Sequence, residues 1–355
     1  MKERLASPWI VYRAGKISLR LDRRLPWVFT GLLLAAFAVL ILHVGNGEYG
    51  IAPLDVLNTI LGRGVADSGY RFVVMELRLP RALVAWLVGA ALGASGAINQ
   101  GLTRNPLASP DLTGVTAGAS AAAVLLIIFF PGTPDAWLPV AAFGGGVLVA
   151  LLLYLFAWRG GPATGGDSPV RLILVGIGLS SALGAFTSFA LTFGDLWNVQ
   201  RAMMWLTGSV YAASWDDIHN ILPWLVICLP LTLYGARDLN ALNLGEGIAQ
   251  GLGLRLTLKR AFLLLLAVAL SGVTVTVAGI VGFVGLIAPH VARRLVGSMH
   301  EGLVPTAAFV GGFLVVFADF VGRTVSPPTE VPAGIVTSIV GVPFLLYLLW
   351  KREKV

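Results

Sequence analysis

The chain has 355 residues, of which 57% are hydrophobic and only 12% are charged, and its formal net charge is +7. Because about a quarter of the residues of a soluble domain are charged, this composition excludes a water-soluble globular protein and predicts an integral membrane protein in a lipid bilayer. A basic chain is expected to bind nucleic acid when its positive charges cluster on one soluble face. The Lys and Arg residues here are divided among the two ends and short connections, so we expect no nucleic-acid partner.

Ten apolar segments are candidates for membrane-spanning helices. A bilayer core takes roughly 20 apolar residues per helix. The apolar stretch from Ala261 to Val296 is too long for one helix and is broken by glycines and Pro289, so we interpret it as two spans joined by a tight turn. Hydropathy alone also allows nine spans. The ten predicted spans are 26–44, 82–100, 113–130, 139–157, 172–194, 220–235, 261–281, 283–297, 303–322 and 334–350.

The distribution of positive charge favours ten spans over nine. Residues 1–25 form a basic tail, and residues 351–355 carry three more Lys and Arg residues. Cytoplasmic segments carry an excess of Lys and Arg, so we place both termini in the cytoplasm, which requires an even number of spans. The sequence therefore predicts an all-α protein whose ten-helix membrane domain covers residues 26–350. Only six of the 25 cations then lie outside, namely Arg63, Arg71, Arg78, Arg81, Arg201 and Arg323.

Sequence motifs for catalysis are lacking. The chain has no G-x-x-x-x-G-K-[ST] phosphate loop, no G-x-S-x-G elbow and no H-E-x-x-H pair. Its four histidines have no metal-ligand spacing, and the single cysteine, Cys228, lies within an apolar run. We therefore expect a protein that is not an enzyme and that itself binds no metal or other cofactor.

Two polar residues within predicted spans leave a transport alternative open. Asp319 is the only acid well inside a span, and an intramembrane carboxylate is a functional hypothesis by default. Together with His290 it would suit a proton-coupled secondary transporter. Arg323 follows Asp319 by one helical turn, so a local ion pair is the simpler interpretation. His290 is next to Pro289, where capping of exposed carbonyl groups is the simpler role.

Two predicted cytoplasmic connections have an unusual composition. The longer one, 236–260, contains two short helix-like pieces, 239–244 and 246–252, with an apolar face, which favours either interfacial helices or docking of a soluble protein. The other, GLTRNPLASPDLTG (101–114), has two prolines that interrupt helix at the membrane edge. Such backbone is tolerated only where it packs in protein or lines a water-filled cavity, so a tight connection and a constriction of a pathway both remain open.

Three of the outside arginines lie at the mouths of spans. Arg78 and Arg81 precede the second span, and Arg323 ends the ninth. Interfacial arginines commonly extend to lipid headgroups, and the alternative is a docking site for an acidic partner. Spacing alone does not distinguish lipid contact from partner docking.

In the second span, Gly89 and Gly93 form a small-residue pattern of the kind that lets membrane helices pack closely.

Four segments together have a recognisable pattern. They are LRLPRALVAWLVGAALGASGAINQGLTRNPLASPDLTGVTAGAS (77–120), LNLGEGIAQGLGL (242–254), AGIVGFVGLIAPHVARRLVG (278–297) and EVPAGIVTSIVGVPFLLYLL (330–349). In this order they resemble the permease subunits of iron-siderophore and vitamin B12 ABC importers. Two further segments, LFAWRGG (155–161) and RLILVGIGL (171–179), are most similar to the second permease subunit of ferric-enterobactin importers.

The resemblance implies the ten-helix fold of type II importers and a passive permease of the bacterial inner membrane that moves ferric siderophore by alternating access. Vitamin B12 and haem are alternative cargoes within the family. The implied partners are a second permease subunit, with a heterodimer favoured over a homodimer, two cytoplasmic ATPase subunits that use ATP, and a periplasmic siderophore-binding protein.

The resemblance also implies roles for individual residues. Docking of the binding protein falls to Arg78, Arg81 and Arg323. The coupling helices that contact the ATPase are expected at 239–254. Relatives often have small polar residues before the fifth span, whereas this chain has Pro169 and Val170. The residues implied in coupling are Leu244, Gly245, Glu246, Ala249, Leu252 and Gly253, and those implied in the inner gate are Asn105, Leu107, Pro169 and Val170.

Overall fold

The computed structural model describes residues 9–14, 17–22, 24–47, 49–63, 68–134, 136–157 and 169–352, and most of them are helical. Fifteen α-helices, α1 to α15, follow one another in this part of the chain. In order they are Leu25–Gly45, Pro53–Ile60, Ser68–Phe72, Leu79–Thr103, Val115–Phe129, Trp137–Ala157, Pro169–Phe193, Leu196–Leu206, Trp215–Tyr234, Ala236–Asn243, Glu246–Gly251, Leu256–Ala278, Val284–Val296, His300–Thr324 and Ala333–Arg352.

Each of the ten predicted spans overlaps one of the longer helices, with boundaries that differ by up to five residues. Eight helices of the described chain are long and apolar enough to cross a membrane. The other two, α5 and α13, have 15 and 13 residues. At about 1.5 Å per residue, α13 extends roughly 20 Å, which is less than the hydrocarbon core of about 30 Å. The all-helical membrane architecture is confirmed, and the number of complete crossings stays a prediction.

Short elements that the hydropathy pattern did not indicate lie between the long helices. The helices α2, α3 and α8 occupy connections that the predicted topology places outside. A π-helical turn, Val73–Arg78, joins α3 to α4, and a 3-10 turn, Pro110–Thr113, precedes α5. Within the segment predicted as a basic tail, β1 (Trp9–Ala14) and β2 (Ile17–Asp22) pair as an antiparallel hairpin. Residues 1–8 and 353–355 lie outside the described residues.

The pair formed by α4 and α14 occupies the centre of the bundle. Almost every residue of α4 is buried, and its glycines lie directly on the backbone of α14. A Cβ atom on Gly89 would lie 2.1 Å from the carbonyl oxygen of Gly311, and one on Gly93 would lie 2.1 Å from that of Ala307. Since any larger side chain would push the helices apart, the two glycines have the close-packing role that the sequence suggested.

The turn between α12 and α13 confirms that the long apolar stretch divides into two helices. Gly279 and Phe283 both have positive φ angles, of 65° each. A Cβ atom on Gly279 would lie 2.5 Å from the carbonyl oxygen of Trp205. This position therefore needs glycine for both its conformation and its packing.

The outer helices of the bundle expose large apolar side chains. Leu174 and Phe193 on α7 and Ile339 and Leu346 on α15 are all exposed. In water such surfaces would cause aggregation, whereas hydrocarbon or another membrane subunit covers them at no polar cost. The exposed apolar surface is therefore consistent with a membrane setting.

Candidate functional site

A buried carboxylate joins three helix ends at one end of the bundle. Asp319, near the end of α14, is only 1% exposed. Arg81, at the start of α4, donates from Nε and Nη2 to its two carboxylate oxygens at 2.8 and 2.7 Å. His43, near the end of α1, places Nε2 2.7 Å from Asp319 Oδ2. Nη2 of Arg81 is also 2.8 Å from Glu330, in the connection between α14 and α15.

The predicted ion pair between Asp319 and Arg323 is wrong. Arg81 reaches Asp319 from the facing helix with a two-pronged geometry, which a planar guanidinium forms well with a carboxylate. Arg323 donates from Nη2 to the carbonyl oxygens of His43 and Asn46, at 2.5 and 2.8 Å. It thus binds carbonyl groups at the end of α1, where positive charge is favourable.

Arg78 is also engaged within the chain. Its Nη1 donates to the carbonyl oxygen of Val44 at 2.9 Å, and its Nη2 donates to that of Tyr49 at 2.7 Å. A Cβ atom on Gly47 would lie 2.4 Å from Arg78 Nη2, so this glycine makes room for the guanidinium. Arg78 therefore fixes the connection that follows α1.

The three predicted docking arginines line one pocket of about 610 Å3, which we call the arginine pocket. Arg78 and Arg81 are buried in its wall, and Arg323 is half-buried. Within the described part of the chain, only Arg81 of the three contacts carboxylates, those of Asp319 and Glu330. Three guanidinium groups at the pocket therefore stand against two carboxylates and leave a surplus of positive charge. The pocket is lined by Asn46, Gly47, Tyr49, Val73, Leu77, Arg78, Arg81, Tyr211, Arg323, Thr324, Pro327, Pro328 and Glu330.

The structure does not bring Asp319 and His290 together. The ring of His290, on α13, lies edge-on to Phe344 of α15 with a centroid separation of 5.5 Å. Asp319 is instead held by Arg81 and His43. This arrangement gives no support to a proton relay between Asp319 and His290.

At the opposite end of the bundle, α10 and α11 form the two short helices predicted at 239–244 and 246–252. Gly245 and Gly253 have φ angles of 106° and 84°, which glycine adopts readily. The side chains of Leu244, Ile248 and Leu252 are spaced four residues apart and are 60%, 55% and 61% exposed. Ile248 and Leu252 lie one turn apart along α11, and Leu244 caps the end of α10 just before Gly245. We call these three exposed apolar residues the leucine ridge.

Polar contacts tie α11 to the membrane helices. Ala249 is fully buried beneath the leucine ridge. The Glu246 carboxylate is 2.6 Å from Nη2 of Arg260 on α12 and 3.4 Å from Nη2 of Arg104, which follows α4. Displacement of α11 is therefore resisted at two separate helices.

The preceding helix, α10, is tied to the start of α14. Asn240 Oδ1 accepts from the backbone N–H of His300 at 2.9 Å and lies 2.8 Å from Nδ1 of the same residue. Asn240 Nδ2 donates to Glu301 at 2.7 Å. The sequence reasoning missed Asn240, His300 and His43. The two histidines could have been found as polar residues next to long apolar runs, but nothing in the sequence identified their partners.

The predicted gate residues lie in two places. Asn105 Oδ1 accepts from the backbone N–H of Leu107 at 3.0 Å, forming a turn after α4. Leu107 packs against the cluster of Leu286, Ile287 and Leu348. Pro169 and Val170 are the first residues of α7, and their side chains lie outside the described part of the structure.

The 101–114 segment is mostly enclosed by protein: Ala108, Ser109 and Pro110 are buried, whereas Arg104 is exposed. Its 3-10 turn packs against α4, α7 and α12. A Cβ atom on Gly114 would lie 3.2 Å from Ser180 Oγ of α7. The segment therefore follows the rule that irregular backbone at membrane depth is enclosed by protein.

Comparison with known proteins gives consistent results. The chain is 44% identical over 333 residues to a "probable siderophore transport system permease protein", YfhA, of Bacillus subtilis, covering 92% of this chain and 95% of that protein. It is 42% identical to the achromobactin transport system permease protein CbrC of Dickeya dadantii, with 97% of each chain covered.

A solved structure of a metal-chelate type ABC transporter in an inward-facing conformation superposes with a TM-score of 0.82 at 30% identity. The match covers 92% of this chain and 99% of that one. The family description "FecCD transport family" matches residues 31–351. The chain therefore belongs to the FecCD transport family.

Proposed function

We propose that this chain is a permease subunit of an ATP-driven importer that moves ferric siderophore across the bacterial inner membrane. The leucine ridge is the observation that carries this proposal. Three exposed apolar side chains on short, firmly attached helices provide a surface for a soluble protein, and a helix presenting an apolar face to a groove is a common recognition mode. In an importer of this family the soluble protein is the ATPase.

The mechanism is alternating access driven by contacts with partners. ATP binding and hydrolysis in two partner ATPase subunits move α10 and α11. Leu244 and Leu252 form the surface that contacts the ATPase, and Ala249 packs beneath it. Gly245 and Gly253 set the shape of this segment, and Glu246 transmits the movement to Arg104 and Arg260. A conformational change of this kind requires different contact energies in its two states.

The arginine pocket is proposed to dock the periplasmic siderophore-binding protein through Arg78, Arg81 and Arg323. Its surplus positive charge suits acidic side chains, and charge complementarity mainly adds register and encounter rate. At the other end of the pathway, Asn105 and Leu107, together with Pro169 and Val170, form the proposed inner gate.

The cargo is proposed to be a ferric siderophore because similar proteins are named as siderophore, achromobactin and iron(3+)-hydroxamate permeases. A catecholate of the enterobactin type is the narrower proposal, supported by the segments 155–161 and 171–179. Vitamin B12 is an alternative cargo, since a cobalamin permease of Halobacterium salinarum is 38% identical, and haem is a further alternative that rests on the family resemblance alone. A second, different permease subunit is proposed to cover part of the apolar surface.

The test is uptake of labelled cargo by cells that lack the chain. The panel contains 55Fe-labelled enterobactin, ferrichrome and citrate, together with labelled cyanocobalamin and haem. We expect uptake of one ferric chelate to be lost, to return with the cloned gene, and to stop when the partner ATPase is inactivated. Uptake that is driven by a proton gradient after ATP depletion, or by the lone subunit in proteoliposomes, would refute the proposal.

A further inference from the structure

The helices α4 and α14 connect the arginine pocket with the segment that carries the leucine ridge. At the pocket, Arg81 of α4 forms a two-pronged ion pair with Asp319 of α14. At the opposite end, Arg104 follows α4 and contacts Glu246, and His300 begins α14. With 25 residues each, the two helices extend about 37 Å. They are therefore long enough to link the two surfaces of the membrane.

The pair is held together along its length, so it is expected to move as one body. The backbones touch at Gly89 and Gly93 in the middle, and the buried ion pair closes the pocket end. At the other end a Cβ atom on Gly101 would lie 2.8 Å from His300 Nε2, so the imidazole of His300 lies directly on the backbone of α4. Closely packed interiors of this kind transmit displacement rather than absorb it.

Asn240 is the joint between this helix pair and α10. An asparagine amide can accept and donate at the same time, and here Oδ1 accepts from the backbone N–H of His300 while Nδ2 donates to Glu301. Asp238 of α10 pairs with Lys259 of α12 at 2.7 Å, so it ties α10 to a different helix. Leu239 and Leu242 of α10 are buried and apolar. Apolar contacts are non-directional and allow sliding, whereas hydrogen bonds fix direction and register.

We propose that Asn240 is a positioning residue through which movement of α10 reaches α14, and that the α4–α14 pair carries this movement to the arginine pocket. The inference rests on the proposed function, because the partner ATPase supplies the movement. Because coupling between two sites is reciprocal, docking at the pocket would change the affinity of α10 and α11 for the ATPase by the same coupling free energy.

The experiment places a fluorescent label at the pocket and a substitution at the joint. Thr324, which lines the pocket and is exposed, is changed to Cys and labelled with bimane in the assembled complex with its ATPase, reconstituted in nanodiscs. The buried Cys228 is first changed to Ala. Bimane emission and ATP hydrolysis are recorded with and without MgATP plus vanadate, which traps the nucleotide-bound state.

We expect nucleotide to shift the bimane emission in the parent protein. Asn240→Ala should lose at least four-fifths of this shift while ATP hydrolysis stays within about two-fold. Asn243→Ala, on the same helix at an exposed position, is the matched control and should behave as the parent does. The Asn240→Asp variant should also lose the nucleotide-dependent shift in bimane emission, because the new carboxylate would lie against that of Glu301.

A reciprocal exchange separates positioning from a general loss of folding. In Asn240→Asp combined with Glu301→Gln, the amide and the carboxylate trade places, so a hydrogen bond between the two residues can form again and the shift should return. A full shift in Asn240→Ala, no recovery in the exchange variant, or no shift in a parent that hydrolyses ATP would each overturn the inference. A parent chain that assembles with no ATPase would instead contradict the proposed function.

Discussion

At the scale of single residues, the buried polar groups near the arginine pocket hold helices together. Asp319 receives two hydrogen bonds from Arg81 and one contact from His43. Removing one partner from a buried ion pair leaves the other charge uncompensated. Exchanging Arg81 for Glu would therefore disturb folding, whatever its effect on the proposed docking, because it would place a second carboxylate directly beside Asp319.

Asp319→Asn is predicted to destabilise the protein by about 3–5 kcal/mol, the usual cost of breaking a buried pair. The measurement is the unfolding free energy in a fixed detergent, with Asp216→Asn, an exposed carboxylate at the start of α9, as the control. The proton-relay hypothesis expects something different: a stable protein that has lost transport driven by pH. Unchanged stability of Asp319→Asn would contradict the structural role.

At the scale of elements, α11 combines a buried anchor with an exposed ridge. Ala249 is fully buried while Ile248 and Leu252 are exposed, so one side of this short helix packs on the bundle and the other side is open. Exposed apolar patches on soluble surfaces commonly mark interaction sites. The salt bridge between Glu246 and Arg260 keeps the ridge in a fixed orientation.

Leu252→Asp is predicted to lower recovery of the ATPase subunit with this chain by at least ten-fold, because a charge would replace an anchor of the apolar ridge. The measurement is co-purification in mild detergent, followed by ATP hydrolysis. Gln250→Ala, on the same helix and also exposed, should leave recovery unchanged. Since Leu252 is exposed, the variant chain should keep the stability of the parent. Full recovery of the ATPase subunit with the Leu252→Asp variant would show that the leucine ridge is not where the ATPase binds.

At the scale of the whole molecule, the contacts agree with the order of spans that the charges predicted. The ends of α1 and α14 and the start of α4 meet in the arginine pocket. The end of α4 and the start of α14 meet α10 and α11 at the other end of the bundle. Helices that cross in the predicted alternating directions produce this pairing of ends.

The topology is predicted to place Gly132 outside and Gly247 in the cytoplasm. A side chain at either position meets open space, so Gly132→Cys and Gly247→Cys, in a Cys228→Ala background, should fold normally. A membrane-impermeant maleimide should label only Gly132→Cys in right-side-out vesicles and only Gly247→Cys in inverted vesicles. Labelling of both from one side would contradict the ten-span arrangement and the excess of cytoplasmic Lys and Arg that supports it.

The amino-acid sequence alone determined that this is a helical membrane protein, where its long apolar helices lie and which family it resembles. Hydropathy and charge asymmetry are properties of contiguous segments, so they can be read without knowing which helices touch. The helical pieces at 239–244 and 246–252 and the close packing at Gly89 were predictable for the same reason, because each depends on local composition.

Only the tertiary structure decided which polar groups meet. Asp319 has an arginine one turn away in sequence, yet it pairs with Arg81 from another helix because α4 and α14 approach closely at their glycines. Asn240 and His300 are 60 positions apart, so no local pattern could link them. Partner choice for a buried charge depends on which helix faces it, and that is set by packing across the whole bundle.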